Sequence, residues 1–184
     1  VGQLAATLSR LAGGFPVIAI DVDAFRLEKA EARSIDVCLN PHQVDDLTTA
    51  VRKHCPDVAG ANVVIEATGK PQTYPTAAKI ASDAGRIIGL GSPRGKVSMD
   101  FFADVHLREL TIQAAFQPYT PEQGNRYYPW TLDRERNLIM RLMSDGRLPV
   151  EDLVSHVAKP EQCQEIYTML ADRPRNALGV LFEW

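Results

Sequence analysis

The sequence predicts an α/β fold, a doubly wound parallel sheet with helices on both faces, followed by a second structural layer. Three observations carry this. Short apolar runs alternate with helical stretches from Leu4 to about Phe116. The runs close on Asp21, Asn40-Pro41, Thr68-Gly69 and Gly91, the punctuation of strands feeding loops. The alternation then stops at Gln117-Pro118, where prolines and aromatic residues take over.

Each element has its own justification. Leu4, Leu8 and Leu11 recur at helical spacing, and Gly13-Gly14 ends that helix. Phe15 to Ile20 is an apolar run suited to a strand buried on both faces. A charged amphipathic helix follows from about Ala24 to Ala32, with Asp23 directly before it as cap. Asp36 to Leu39 is a short strand, and a helix runs from about Val44 to Lys53. Asn62 to Glu66 reads as strand, Ala67 to Pro71 as loop and Thr73 to Ala81 as helix. Gly85 to Leu90 is another buried strand, ending in the turn-rich Gly91 to Gly95, and Leu110 to Ala114 is a sixth apolar segment. Beyond it, Pro118, Pro121 and Pro129 punctuate a loop carrying Tyr119, Tyr127, Tyr128 and Trp130. A packed surface loop is the plainer reading of that segment; a substrate wall or subunit contact is the other. A helix from about Leu132 to Asp145 has Leu138, Ile139, Leu142 and Met143 on one face, with Gly146 as its cap. A last helix near Pro160 to Ala171 and a strand over Leu178 to Phe182 complete the chain. The expected division is therefore residues 1–117 and 118–184.

Composition narrows the function classes. With 45% hydrophobic and 23% charged residues among 184, the chain is neither disordered nor fibrous. A net charge of -3 offers no large footprint for nucleic acid. No apolar stretch reaches the roughly eighteen residues of a membrane span, so no membrane partner is expected. Cys38, Cys55 and Cys163 are odd in number and lack paired spacing, which suits a reducing cytoplasm and excludes a disulfide framework or zinc finger. His42, His54 and His106 have no clustered partners, and Asp45, Asp46 and Asp57 read as solvated loop or helix-start acids. No catalytic or metal-ligating set emerges.

Asp21 is the most informative residue. It ends a strand nineteen positions after Gly2, which sits at a helix start. In dinucleotide-binding folds an acid about twenty residues past the glycine turn accepts hydrogen bonds from the adenosine ribose, and it repels a 2′-phosphate. That reading favours NAD over NADP; a strand-end Asp capping the next helix is the alternative. Arg26 is either a guanidinium stacked on adenine or a solvated helix residue. Ala67-Thr68-Gly69 and Gly89-Leu90-Gly91 each follow a strand, where small residues let a flat cofactor approach the backbone. Plain turn glycines are the alternative there. The chain opens without Met, and Val1-Gly2-Gln3 reads as a helix turn rather than a signal peptide. Gly2 then suits the third glycine of a Gly-x-Gly-x-x-Gly fingerprint, with the first two glycines and the first strand expected upstream.

Together these segments resemble the medium-chain dehydrogenase/reductase superfamily, in the C-terminal portion of its zinc-type alcohol and polyol dehydrogenases. Val1 to Ala6 is similar to the end of the family's glycine motif and its first helix. Val17 to Asp23, with Arg26 to Ala30, resembles its second strand and the helix after it. Val63 to Gly69, Gly85 to Gly91 and Arg108 to Ile112 resemble its fourth, fifth and sixth strands, and Ser144 to Leu148 with Leu153 to His156 a later helix end and the segment after it. The likeness covers nearly the whole chain and keeps the family's order.

The resemblance implies a Rossmann domain over 1–117 whose first strand is missing from the chain, and a tail over 118–184 that returns to the catalytic domain. It implies reversible hydride transfer between NAD and a secondary alcohol or polyol. Zinc would belong to the full-length protein, with ligands outside this chain, and a homodimer or homotetramer is expected, often paired through the sixth strand near Thr111. The implied cofactor contacts are Val1, Gly2, Asp21, Val22, Arg26, Thr68, Gly89, Leu90 and Gly91, with Lys70 flanking the adenine and Arg175 reaching the pyrophosphate. Val157 stands where the family often has a basic residue, so His156 reads as a structural histidine. Rival readings are a zinc-free quinone or enoyl reductase, which usually takes NADPH, a non-catalytic nucleotide-binding module, and a methyltransferase, whose antiparallel final hairpin the terminal segments do not suggest. The strand before Gly2 is central in the order 3-2-1-4-5-6. A break is therefore expected between the strands at Val17 and Val63, which continuous pairing would refute. Without a partner in that break, the chain alone is not expected to fold stably.

Overall fold

A computed structural model describes residues 1–57, 59–172 and 176–184. In chain order the elements are α1 (Gly2–Leu11), β1 (Ile18–Ile20), α2 (Ala24–Ala32), β2 (Val37–Leu39), α3 (Leu47–His54), β3 (Ala61–Glu66), α4 (Tyr74–Ile80) and β4 (Ala81–Gly89). They continue with β5 (Thr111–Ala114), α5 (Leu132–Ser144), β6 (Val154–Ala158), α6 (Cys163–Ala171) and β7 (Gly179–Phe182). The chain divides into two compact units, Val1–Leu132 and Asp133–Trp184. The aromatic loop lies on the surface of the first, with Tyr119 and Tyr127 exposed.

In the first unit every ladder is parallel. β1 pairs with β2, Ala19 opposite Cys38. β4 lies between β3 and β5, with Ile65 opposite Ile88 and Ile88 opposite Gln113. Among the described residues β1 and β3 do not pair, the break that the expected topology requires.

Burial concentrates around β4. Ile87 is fully buried and packs with Ala77, Ala78 and Ala81, and with Val105 and Leu110 from the segment before β5. Arg108 fastens this core: its guanidinium donates to the carbonyls of Ala78 (2.6 Å) and Ala81 (2.5 Å) and to the Asp83 carboxylate (2.7 Å). It thereby satisfies carbonyls that the end of α4 leaves without helical partners.

The β1 region departs from the sequence reading. Its residues are half-buried rather than covered on both faces, and Phe15 is exposed. The strand begins at Ile18 because the Val17 N–H donates to the Asp36 carboxylate (2.8 Å), which also pairs with Arg10 (3.4 Å). The helix expected from Val44 starts at Leu47, since Asp46 is extended and its carboxylate caps the Thr49 N–H (2.7 Å). Asp23 caps α2 as read from the sequence, accepting from the Phe25 N–H.

In the second unit β6 and β7 pair in parallel. The sequence reading did not assign β6 as a strand. Ser155 stitches the pair: its hydroxyl accepts from the Leu178 N–H and donates to the Gly179 carbonyl, both at 2.9 Å. That bond uses the hydroxyl's one proton, so His156 Nδ1, also at 2.9 Å, is a donor to it. His156 is thus held structurally. No helix among the described residues is long and apolar enough to cross a membrane.

Candidate functional site

The cofactor contacts expected from sequence lie at the start of α1, in the first turn of α2 and at the carboxyl ends of β1, β3 and β4, all in the first unit. α1 begins at Gly2 with no side-chain cap and no acid in its first turn, so its leading N–H groups have no carboxylate partner there. Gly2 abuts the loop after β3: a Cβ on it would lie 3.8 Å from Ala67 Cβ. Gln3 donates from Nε2 to the Arg26 carbonyl (2.7 Å), tying the start of α1 to α2. Its Oε1 is buried without a hydrogen-bond partner among the described residues.

Asp21 follows β1 and is half-buried. One carboxylate oxygen accepts from the Asp23 N–H (3.0 Å), a turn bond, and the helix cap belongs to Asp23. Val22 is exposed, with its carbonyl accepting from Asn40 (3.3 Å), and Arg26 is exposed on the first turn of α2.

Glu66, the last residue of β3, organises the other side. It is 4% exposed, yet it is a carboxylate. Oε1 accepts from the Thr68 N–H (2.9 Å), the Thr68 hydroxyl and the Thr73 hydroxyl (3.0 Å), and Oε2 from the Gly69 N–H (3.2 Å). Its own carbonyl accepts from the Leu90 and Gly91 N–H groups at 2.9 and 2.8 Å. Burial alone pushes this carboxyl up, but the bonds from Thr68, Thr73 and Gly69 outweigh it and hold it below the usual glutamate range. Burial, and then the Glu66 charge, push the neighbouring Tyr74 hydroxyl up.

Glycine is required where these loops meet. Gly69 has φ +70, and a Cβ on Gly91 would lie 2.7 Å from Gly69 Cα, so the two loops touch backbone to backbone. A Cβ on Gly89 would meet the Tyr74 hydroxyl, the tip of a side chain that packs over this strand end. Lys70 is exposed, and its N–H donates to the Thr68 hydroxyl (3.0 Å). Arg175 lies outside the described residues.

This donor and acceptor set fits a dinucleotide. It offers the start of α1, a carboxylate at a strand end, and two loops whose glycines meet backbone to backbone. It does not fit a metal: no group of three or more His, Cys, Asp or Glu that could hold one occurs among the described residues. Burial pushes the Cys38 and Cys55 thiols up, so neither is an activated nucleophile. Sequence reasoning missed Glu66 and Tyr74. The available signal was an acid ending a strand, with hydroxyl residues two and seven positions later.

Known proteins bear on this arrangement. Residues 1–132 match the family described as zinc-binding dehydrogenase. The chain is 33% identical over 113 residues to an L-threonine 3-dehydrogenase of Symbiobacterium thermophilum, covering 61% of this chain and 32% of the relative. It is 27% identical over 190 residues to a D-guloside 3-dehydrogenase of Escherichia coli K12, covering 99% of this chain and 52% of the relative. A solved structure described as a short chain alcohol dehydrogenase from Escherichia coli CFT073, complexed with NADH, superposes with a TM-score of 0.76. Its sequence identity is 18%, over 97% of this chain and 48% of that one. This last likeness speaks to the fold alone, a Rossmann-type α/β arrangement. The chain spans about a third to a half of the curated relatives it matches.

Proposed function

The chain belongs to the zinc-binding dehydrogenase family, and from that premise we propose that it is the NAD-binding portion of an alcohol or polyol dehydrogenase. Residues 1–117 form the nucleotide-binding part, and 118–184 the segment that returns to the catalytic domain. What supports this reading is that Asp21 and the Glu66-fastened loops follow the carboxyl ends of parallel strands, with the α1 start against Ala67 and tied to α2.

The leading N–H groups of α1, at Val1 and Gly2, face the pyrophosphate. Asp21 accepts from the adenosine ribose hydroxyls and disfavours a 2′-phosphate, while Val22 and Arg26 line the adenine with Lys70 opposite. Thr68, Gly89, Leu90 and Gly91 border the nicotinamide ribose and carboxamide. NAD supplies the hydride acceptor; the protein's part is orientation. The full-length protein holds zinc through residues outside this chain, takes a small secondary alcohol or polyol, and works as a homodimer or homotetramer in the cytoplasm. The threonine and guloside dehydrogenase relatives support that substrate class.

Fluorescence titration of the full-length protein with NADH and NADPH tests the cofactor assignment. Tighter NADH binding is expected, and tighter NADPH binding overturns the role given to Asp21. Metal analysis of the same protein separates the zinc-type reading from a zinc-free reductase.

A further inference from the structure

We propose that Glu66 is a positioning residue for the cofactor, one buried carboxylate that sets the shape of both loops bordering the nicotinamide end. The inference rests on the NAD reading above and deepens it. Glu66 ends β3 opposite Gly89 of β4, so its backbone and side chain act on neighbouring strand ends together. Its carbonyl takes the Leu90 and Gly91 N–H groups, and its carboxylate takes the N–H groups of Thr68 and Gly69 and the hydroxyls of Thr68 and Thr73.

The chemistry of the side chain matters. All four side-chain partners are donors, and an ionised carboxylate is an acceptor at both oxygens. No ion pair among the described residues reaches it. Its burial is offset by hydrogen bonds alone, as in a carboxylate nest. Thr73 extends the control: its single hydroxyl proton is shared between the Lys70 carbonyl (2.6 Å) and Glu66 Oε1 (3.0 Å), a three-centre bond that ties the loop's far end to the carboxylate. Gly91 packs against Gly69 with no room for a Cβ, so a shift of the first loop is transmitted to the second.

Glu66→Gln preserves size but presents an NH2 to N–H donors in either orientation, so the loop must move. The test uses full-length protein and compares NADH dissociation constant, binding stoichiometry and thermal midpoint. Glu66→Gln is expected to raise the NADH dissociation constant about tenfold, the scale of losing a charge-assisted hydrogen bond, with stoichiometry retained. Thr73→Val is expected to raise it about threefold and Thr73→Ser to restore it, since only the hydroxyl is needed. A merely structural role lowers the midpoint or the stoichiometry and leaves the dissociation constant of the folded fraction unchanged; that result overturns the inference. If Glu66→Gln fails to fold, the Thr73 pair decides, and an unchanged constant in Thr73→Val overturns it. Absence of NADH binding by the unsubstituted protein overturns the NAD reading itself, whereas normal binding with unaffected variants overturns only the positioning role.

Discussion

The two halves of the first unit are built differently. β3, β4 and β5 form a three-stranded ladder around the fully buried Ile87, backed by α4 and fastened by Arg108. β1 and β2 form a ladder of three residues each, half-buried, with burial confined to Leu27, Ala30 and Ile35 beside it. The Glu66 loops stand on the first half and Asp21 on the second. Ile87 is the fully buried centre of the first ladder, whereas β1 pairs with β2 alone among the described residues and holds no fully buried side chain.

Substitutions can break that contrast. Ile87→Ala is expected to lower unfolding free energy by about 3 kcal/mol, and Ile18→Ala in β1 by about half as much. Denaturant unfolding of the full-length protein measures both, and equal losses contradict the asymmetry. Asp21→Ala is expected to weaken NADH about tenfold while sparing NADPH, the scale of a lost hydrogen bond to a charged group. Isothermal titration with each cofactor reads the ratio. Asp36→Ala removes the partner of the Val17 N–H and of Arg10. It is expected to cost about 1 kcal/mol, with faster amide exchange over β1 and β2 and unchanged exchange in β4.

The smallest effect is in acid. Glu66 is held below its ordinary range in the folded state. It therefore contributes stability that is complete above the usual glutamate range and is lost as pH falls through the lowered value. Glu66→Gln is expected to flatten that part of the stability profile, and an unchanged acid slope would contradict it.

Much of this architecture was legible in the sequence, because apolar periodicity and Gly/Pro punctuation are local signals. Every helix and strand expected up to Ala114 is present, and Asp23 caps α2. What escaped depends on distant partners. Phe15 reads as a strand residue until Asp36, nineteen or more positions later in the chain, takes the Val17 N–H and delays pairing. β6 carries Ser155 and His156, poor strand signals, and is explained only by the bonds from Ser155 to Leu178 and Gly179. Of the candidate site residues, Asp21, Thr68 and the glycines are legible from their places at strand ends. Glu66 is not, since its role exists only once Thr68, Gly69 and Thr73 fold back on it.

Hydrogen exchange of the full-length protein with and without NADH tests the central claim most directly. Bound NADH is expected to slow exchange in peptides covering Ile20 to Arg26, Glu66 to Tyr74 and Ile88 to Ser92, and to leave β6 and β7 unchanged. Protection absent from those three segments, with NADH demonstrably bound, would contradict the account.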